Sequence, residues 1–355
     1  MKGQRPASIA AVDLFCGAGG LTLGLEQAGI PVVEGVDIDP KCEYAYTHNT
    51  SARYRQMSVT RYGAPDIAKA LGGADVRVLA GCAPCQPFST YAQGVTRSDH
   101  KRWSLLRHFG KLAEEAKPQI VTMENVWPLA KHRAFDRFVS RLRRAGYRVN
   151  TYRVDCREYG IPQSRVRLVL LASQFGEIKL IEPTHTDKKA WASVRSVLEG
   201  LAHLEAGRKD DKDALHVCSK LSELNYRRML ASKPGGTWRD WPEELRAACH
   251  SKETGKTYPA VYGRMEWDLP APTITGQCFG FGNGRFGHPE QNRAISLREA
   301  ALLQSFPMGF SFAKPGDPVH MKSIGRMIGN AVPPRLGQVI GQSIKAHLSD
   351  RYAIE

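Results

Sequence analysis

The sequence predicts an α/β fold built on a mostly parallel sheet, followed by a second, smaller and less regular domain. Three observations lead to this prediction. An apolar segment at residues 9–15 runs directly into a glycine-rich turn and a helical pattern, which is the order of a strand and its crossover helix. Further apolar segments of strand length recur up to residue 172. From about residue 181 to 290 prolines and glycines break this pattern.

The individual elements follow from the spacing of the apolar residues. The helix after the first strand begins near Leu21 and stops at Gly29, a residue type that often ends helices. Beyond the irregular region, residues 297–306 have a helical pattern and a final helix follows the segment 329–334. Five more strands are predicted, at residues 32–36, 76–80, 120–123, 147–154 and 166–172.

The composition excludes several classes of protein. Hydrophobic residues make up 42% and charged residues 24% of the 355 residues, as in globular chains and unlike disordered ones. No uninterrupted apolar run approaches the ~18 residues that cross a bilayer, so we expect neither secretion nor a membrane partner. Eight cysteines are too few for a disulfide scaffold at this length, which indicates reduced thiols in a cytoplasmic protein.

The positive charge is concentrated in one part of the chain. The formal net charge is +15, and residues 97–167, here called the basic stretch, carry 17 basic and seven acidic side chains. Basic surfaces attract polyanions through their phosphates. We therefore expect the basic stretch, including Arg141, Arg143 and Arg144, to contact nucleic acid phosphates. The alternative is a helix face that is merely solvated.

The turn after the first strand has the composition of a nucleoside site. Asp37 ends the second strand, where an acidic side chain can accept hydrogen bonds from ribose hydroxyls. The dinucleotide pattern G-x-G-x-x-G fails, because Thr22 occupies its third glycine position. This disfavours a pyrophosphate ligand and a nucleotide-dependent oxidoreductase, and leaves a nucleoside or a tight turn without a ligand.

Reactive side chains follow two other strands. Cys82 and Cys85 form a C-x-x-C pair, but the remaining cysteines are scattered singly, which disfavours a zinc site, and a loop context disfavours a redox motif. Cys85 is better interpreted as a lone nucleophile between prolines, followed by a polar loop at residues 87–103 that could close on nucleic acid. Glu124 ends a buried strand, where it can hold a proton or cap a helix.

A pair of arginines precedes the last predicted strand. Arg165 and Arg167 alternate along the chain, which places both on one side of the strand as it begins. They could meet an oxygen or a phosphate of a ligand, or form surface ion pairs.

Taken together, these residues closely resemble the DNA cytosine-5 methyltransferase family, in the family's order and over nearly the whole chain. The segment 13–20 is similar to its S-adenosylmethionine loop, 84–86 to its nucleophile motif and 124–126 to its acid motif. The segments 163–167, 298–307 and 329–334 resemble its later motifs. There are three departures from the family pattern. Ser58 lies in the stretch where the family often has an acid for the adenine amino group, and Asp37 stands where glutamate is commoner but should still serve the ribose. Cys82 and Ala83 replace a commoner Gly/Phe-Pro pair, which we expect to matter little.

The resemblance implies a Rossmann-like, S-adenosylmethionine-dependent methyltransferase domain at residues 1–184, a target-recognition domain at 185–290 and a C-terminal segment, 291–355, that returns to the catalytic domain. It implies methyl transfer to carbon 5 of a flipped-out cytosine in duplex DNA through a covalent Cys85 adduct, with S-adenosyl-L-homocysteine as product and no metal. We expect a bacterial, nucleoid-associated monomer of the compact prokaryotic type. It would be an orphan methylase or the modification enzyme of a restriction-modification system whose endonuclease is encoded separately.

The motifs assign residues to roles. The catalytic residues implied are Cys85, Glu124, Arg165 and Arg167. The cofactor-binding residues implied are Phe15, Cys16, Gly17, Ala18, Gly19, Gly20, Leu21, Asp37, Ile38, Ser58, Pro84, Asn330 and Ala331. The DNA-binding residues implied are Gln86, Ser89, Arg97, Thr273 and Thr275. Two alternatives remain, a branch of the family that methylates tRNA and a non-catalytic DNA-binding relative. The long region 181–290 disfavours the first, and intact Cys85 and Glu124 disfavour the second.

Overall fold

A seven-stranded sheet is the frame of the first part of the chain in this computed structural model, which describes residues 7–84, 103–349 and 351–352. The strands are β1 (Ile9–Leu14), β2 (Val32–Asp37), β3 (Arg53–Gln56), β4 (Val76–Gly81), β5 (Ile120–Val126), β6 (Arg148–Asp155) and β7 (Val166–Ser173). Their spatial order is β3-β2-β1-β4-β5-β7-β6. The predicted strands are confirmed to within a few residues, and β3 was missed.

The strand directions bring several chain segments to one edge of the sheet. β1 pairs in parallel with β2 and β4, β2 with β3, and β4 with β5. β7 runs antiparallel between β5 and β6, so its first residues lie beside the last residues of β5. The edge formed by the ends of β1, β2, β4 and β5 and by the start of β7 is called the catalytic edge below.

β3 is held by charge, which explains why an apolar pattern did not reveal it. Its neighbour β2 carries Glu34, whose side chain is fully buried. Arg53 donates to this carboxylate at 2.8 Å, Arg55 at 3.2 Å, and the Tyr62 hydroxyl at 2.7 Å. These bonds lower the pKa of Glu34 in spite of its burial. The alternating arginines therefore secure an edge strand that has little apolar surface of its own.

Helices cover the sheet and complete the rest of the chain. The described helices are α1 (Gly20–Gln27), α2 (Glu43–Asn49), α3 (Ala64–Leu71), α4 (Ser104–Ala116), α5 (Arg133–Arg144), α6 (Arg195–Leu198), α7 (Glu223–Ala231), α8 (Glu253–Lys256), α9 (Leu297–Leu303), α10 (Met321–Asn330) and α11 (Pro334–Ser349). α4 and α5 place an apolar face on the sheet, with the rings of Phe109 and Phe138 5.4 Å apart. Such buried aromatic rings supply much of the apolar area that stabilises a core.

The last helix packs against the first. A side chain at Gly24 of α1 would overlap the backbone of Pro334 and Gly337 in α11, so glycine is required for the two helices to approach this closely. Gly341, one turn further along α11, meets Ala28 in the same way. A Cβ at Gly337 would also lie 3.0 Å from the Leu21 carbonyl oxygen, so the contact reaches the first turn of α1, which follows the glycine-rich turn.

The chain divides into two compact units. The first unit contains Met1–Asp155, Val166–Thr184 and Val332–Glu355, and the second contains Cys156–Arg165 and His185–Ala331. The return to the first unit therefore falls at Val332, later than the expected residue 291. Residues after 291 are bonded to the middle of the second unit: the Leu297 N–H donates to the Val217 carbonyl at 3.2 Å, and Arg298 donates to the Asp213 carboxylate at 2.5 Å.

Membrane insertion can be addressed for the described ranges. No helix there is both long and apolar enough to cross a lipid bilayer.

Candidate active site

The glycine-rich turn between β1 and α1 has an unusual backbone. Phe15, Gly17 and Gly19 have φ angles of 60°, 51° and 93°, in the left-handed region that glycine adopts readily and other residues seldom do. A Cβ built at Gly17 would meet nothing within 4 Å, so the turn faces open space there. The turn delivers the first N–H groups of α1 to the catalytic edge, where they can receive a negatively charged group.

Asp37 joins this turn to the end of β2. One carboxylate oxygen accepts from the Gly17 N–H at 3.0 Å, and the other accepts from the Asp39 N–H at 2.9 Å. Each oxygen keeps a second lone pair, so the half-exposed carboxylate can also accept from a ligand. Asp37 thus shapes the turn and remains available at the catalytic edge.

A pocket lies next to Asp37. It is lined by Ile38, Gln56, Met57, Ser58, Thr60 and Arg61. Ile38 is 66% exposed, so its apolar side chain is available to pack against an aromatic ring. The Ser58 hydroxyl lies 2.8 Å from that of Thr60, so two hydroxyls stand where an acid was expected from the family pattern.

Asp13 lies near the end of β1, beneath the turn; the motif at residues 13–20 includes it, but its hydrogen-bond partners are visible only in the structure. Its side chain is fully buried, and one oxygen accepts from the Thr22 hydroxyl at 2.8 Å, which in turn lies 2.9 Å from the Tyr46 hydroxyl. The other oxygen has no hydrogen-bond partner among the described residues. Burial, opposed by the Thr22 hydrogen bond, raises the pKa of Asp13 to about 7.

Glu124 lies buried near the end of β5, with 3% of its surface exposed. One carboxylate oxygen accepts a hydrogen bond from the Cys82 thiol, with Sγ and Oε2 3.0 Å apart. The other oxygen lies 2.9 Å from Nε of Arg167, which the antiparallel pairing of β7 with β5 brings beside it. The buried carboxyl group therefore accepts one hydrogen bond, from Cys82, and is paired in charge with Arg167, whose neighbouring oxygen Oε1 accepts no hydrogen bond among the described residues. Hydrogen bonds and charges act strongly in a buried environment.

The chain that leads to Cys85 is anchored to the same strand. The side-chain amide of Asn125 donates to the carbonyl of Ala83 at 2.9 Å, and the Cys82 N–H donates to the Leu14 carbonyl at 3.3 Å. Pro84 follows and is exposed. The expected nucleophile Cys85, together with the expected DNA contacts Gln86, Ser89 and Arg97, lies outside the described residues.

Arg165 and Arg167 belong to different units and have different partners. Arg167, in the first unit, lies against Glu124. Arg165, in the second unit, is buried and donates to the backbone carbonyls of Ile274 at 3.0 Å and Ala331 at 3.2 Å. Its guanidinium group therefore joins two segments of the second unit instead of forming a surface ion pair.

Two buried glutamines complete this arrangement in the second unit. Gln163 donates to the carbonyl of Leu303 at 2.8 Å and accepts from the Ile274 N–H at 3.1 Å. Gln304 donates to the carbonyl of Ala331 at 2.8 Å. The motifs include both residues but indicate no role for them, and the structure shows that they satisfy backbone groups which would otherwise be buried unpaired.

The other residues of the second unit that the sequence assigns to DNA or cofactor binding are at least partly exposed. Thr273 donates from its hydroxyl to the carbonyl of Ser164 at 2.5 Å, and Thr275 lies two residues further on. Asn330 ends α10 with its side chain exposed, and Ala331 follows it. A side chain at Gly329 would overlap the backbone of Thr275, so this glycine permits the two segments to touch.

The basic stretch is divided between the two ends of the sheet. Arg148 lies level with Ile120, the first residue of β5, because both are paired with the same residue of β7. Glu124 lies four residues along β5, about 13 Å away at the rise of a strand. Arg143 and Arg144 are exposed and shortly precede Arg148. They therefore lie towards the edge opposite the catalytic edge, and the expectation that they contact phosphates stays a prediction.

The chain is similar to known proteins over nearly its whole length. A sequence model of the C-5 cytosine-specific DNA methylase family matches residues 9–346. The chain belongs to this family. Type II methylase M.HgiDII of Herpetosiphon aurantiacus is 49% identical over 96% of both chains. Type II methyltransferase M1.HphI of Haemophilus parahaemolyticus is 30% identical over 95% of this chain and 87% of its own. The resemblance inferred from the motifs is confirmed, and the methylase has DNA cytosine-5 methyltransferase activity.

Solved structures support the fold. A DNA modification methyltransferase described as encoded within an E. coli prophage superposes with a TM-score of 0.73 at 22% identity, covering 96% of this chain and all of its own. The Dnmt2 methyltransferase of S. pombe superposes with a TM-score of 0.60 at 18% identity, over 96% of this chain and 98% of its own. The methylase therefore has the Rossmann-like fold of this enzyme class, as predicted.

Sequence reasoning missed two residues of the methylase site, Cys82 and Asn125. Asn125 follows Glu124 in a buried strand, and an amide in such a position needs partners, which was a signal that it holds a neighbouring segment. The contact of Cys82 with Glu124 joins residues 42 apart in sequence, so no local pattern indicates it.

Proposed function

We propose that this chain transfers a methyl group from S-adenosyl-L-methionine to carbon 5 of a cytosine flipped out of a specific duplex DNA sequence, through a covalent bond to Cys85. One observation carries the proposal. Glu124 is buried at the catalytic edge, its carboxyl group is held by Cys82 and Arg167, and the segment leading to Cys85 is anchored beside it. An acid placed in this way suits a reaction in which charge develops on a ring nitrogen.

The residues at the ends of β1 and β2 fit S-adenosylmethionine, which supplies the electrophilic methyl group when bound. The open turn at Gly17 and the N–H groups of α1 suit the carboxylate of the methionine part. Asp37 would accept from the ribose hydroxyls, and exposed Ile38 would pack on the adenine ring. Residues 15–21, Ser58, Pro84, Asn330 and Ala331 are the cofactor contacts we propose, and the proposal requires no metal.

Cys85 would begin the reaction as a thiolate, the form in which cysteine is nucleophilic. Its sulfur forms a bond to carbon 6 of cytosine, and the electron pair released makes carbon 5 a nucleophile for the methyl group. A base then removes the carbon-5 proton. The electron pair of that C–H bond restores the carbon 5–carbon 6 double bond, and the sulfur departs.

Glu124 would lower the energy of the adduct by hydrogen bonding or protonating ring nitrogen 3, so its contribution grows as charge develops. Arg167 would hold the base oxygen with the donors that do not face Glu124. Arg165 would order the segment that carries Asn330 and Ala331, through its bond to the Ala331 carbonyl.

The target base lies inside a duplex, so the reaction requires that the base be flipped out. Gln86 is the candidate to fill the gap in the helix, and Ser89 and Arg97 are candidate contacts on the same loop. Thr273 and Thr275 are the proposed contacts of the target-recognition domain. We further propose that the enzyme acts as a monomer in the bacterial cytoplasm. Because the relatives named above are Type II enzymes, its function would be modification in a restriction-modification system with a separately encoded endonuclease.

A duplex with 5-fluorocytosine at the target position tests this proposal. Fluorine at carbon 5 cannot leave as a cation, so methyl transfer should trap the enzyme on the DNA. We expect a complex that survives denaturation and forms only when S-adenosylmethionine is present. Cys85→Ser should abolish it, because a neutral hydroxyl is a far weaker nucleophile than a thiolate. Glu124→Gln should slow its formation strongly while DNA binding remains.

Two results would contradict the proposal. The covalent complex could survive Cys85→Ser, which would exclude this cysteine as the nucleophile. Alternatively, labelled methyl groups could enter a tRNA but not duplex DNA, which would place the enzyme in the other branch of the family.

A further inference from the structure

Cys82 occupies a fixed position beside Glu124. Gly81, the last residue of β4, pairs with Met123 of β5 in a parallel register. The residues that follow them in the chain, Cys82 and Glu124, therefore lie opposite each other. The Cys82 N–H donates to the Leu14 carbonyl, and the Asn125 amide holds the following carbonyl. With its backbone secured on both sides, Cys82 presents its sulfur to Glu124 at 3.0 Å.

The chemistry of this thiol makes it a donor and not a second nucleophile. Burial, followed by the charge of Glu124, raises the pKa of Cys82 well above its ordinary value. A thiol that keeps its proton can donate that proton to a carboxylate oxygen. It therefore differs from Cys85, for which the proposed reaction requires a thiolate.

The second carboxylate oxygen of Glu124 lies 2.9 Å from Nε of Arg167 in an ion pair but accepts no hydrogen bond, so among the described residues the Cys82 thiol is the hydrogen-bond donor to this carboxyl group. A glutamate side chain has three rotatable bonds, and holding it in a single conformation costs free energy that must be supplied by such contacts. Without the thiol, Oε2 would lose its hydrogen-bond donor among the described residues, and only the charge of Arg167 beside Oε1 would restrain the carboxyl group.

We propose that Cys82 is a positioning residue whose S–H hydrogen bond fixes the carboxyl group of Glu124 in the orientation that meets the target cytosine. This inference deepens the proposed function and rests on the role given there to Glu124. Cys82 itself touches neither the base nor the cofactor. Its contribution appears in the rate of adduct formation and is absent from the binding of DNA.

Variants of Cys82 separate the hydrogen bond from the space that the side chain fills. Cys82→Ala and Cys82→Val lack a donor, whereas Cys82→Ser keeps one. We expect Ala and Val each to slow formation of the 5-fluorocytosine complex about tenfold in single turnover, with the duplex Kd unchanged. Cys82→Ser should remain within about threefold of wild type. Cys218→Ala is the matched control, because it removes a buried thiol that also donates to an oxygen, the carbonyl of Glu205 at 3.1 Å.

A double-variant cycle shows whether Cys82 acts through Glu124. In the Glu124→Gln background, Cys82→Ala should cause no further loss, since the oriented group is already changed. The inference would be overturned if Cys82→Ala slowed formation of the complex equally in the wild-type and Glu124→Gln backgrounds. It would also be overturned if Cys82→Ser were as slow as Cys82→Ala, or if Cys82→Ala were as fast as wild type. If Glu124→Gln alone forms the complex at the wild-type rate, the proposed function itself fails, which is a different result.

Discussion

Removing the carboxylate of Asp37 should weaken cofactor binding through two effects that can be separated. In Asp37→Ala, the N–H groups of Gly17 and Asp39 lose their acceptor, and the proposed ribose contact is lost with it. Water can replace the acceptor for these half-exposed groups, so we expect a loss of only about 1 kcal/mol in the free energy of unfolding. A charge-assisted hydrogen bond to the ribose is worth about 1.5–3 kcal/mol, or roughly tenfold to a hundredfold in affinity.

Calorimetric titration with S-adenosylhomocysteine measures the sum of these effects, and a deoxyribose analogue of the ligand separates them. Wild type should bind the deoxy analogue more weakly than the parent ligand, because the carboxylate loses its hydroxyl partner. Asp37→Ala should bind both equally. Asp37→Asn keeps one acceptor oxygen but has no charge, so its affinity for the parent ligand should lie between those of wild type and Asp37→Ala.

A matched control excludes a general effect of removing one negative charge near the ligand. Asp39→Ala removes a neighbouring carboxylate that accepts from the Lys41 N–H at 3.1 Å, and it should leave affinity within about twofold. The assignment of Asp37 to the ribose would be wrong if its alanine variant bound the parent ligand as wild type does. It would also be wrong if the variant still discriminated against the deoxy analogue.

Three further outcomes follow from the structure. Ser58→Asp should tighten S-adenosylhomocysteine about tenfold by restoring an acid to the pocket, and unchanged affinity in calorimetry would remove Ser58 from the adenine site. Burial raises the pKa of Asp13 to about 7, so between about pH 4 and 7 its carboxyl group keeps a proton in the folded protein and has lost it in the unfolded chain. The free energy of unfolding should therefore fall as pH rises through this window. Asp13→Asn should remove up to about 4 kcal/mol of that dependence in urea unfolding, and an unchanged pH slope would contradict the shift. Replacing Arg143 and Arg144 by glutamine should leave the Kd for duplex DNA within about twofold of wild type, with the same salt dependence. A tenfold loss of affinity would mean that DNA reaches the edge of the sheet opposite the catalytic edge.

The sequence alone determined the features that depend on neighbours along the chain. Short apolar segments bounded by glycine turns predict buried strands wherever they occur along the chain. The prediction needs no knowledge of the neighbouring strand, because burial favours apolar side chains whichever strand lies alongside. The turn at Gly17, the acid Asp37 at the end of β2 and Glu124 near the end of β5 were all identified in this way. Their common location follows from one rule, that the carboxyl ends of parallel strands meet at one edge.

Only the tertiary structure decided which distant residues meet. The antiparallel insertion of β7 between β5 and β6 places Arg167 beside Glu124, and no local pattern specifies that order. The contact of the Cys82 thiol with Glu124 depends on the register of β4 against β5, and a shift of one residue would turn the side chain to the other face. The sequence shows that Arg143 and Arg144 are charged, but not at which end of the sheet they lie. Their position depends on the direction in which α5 runs across the sheet.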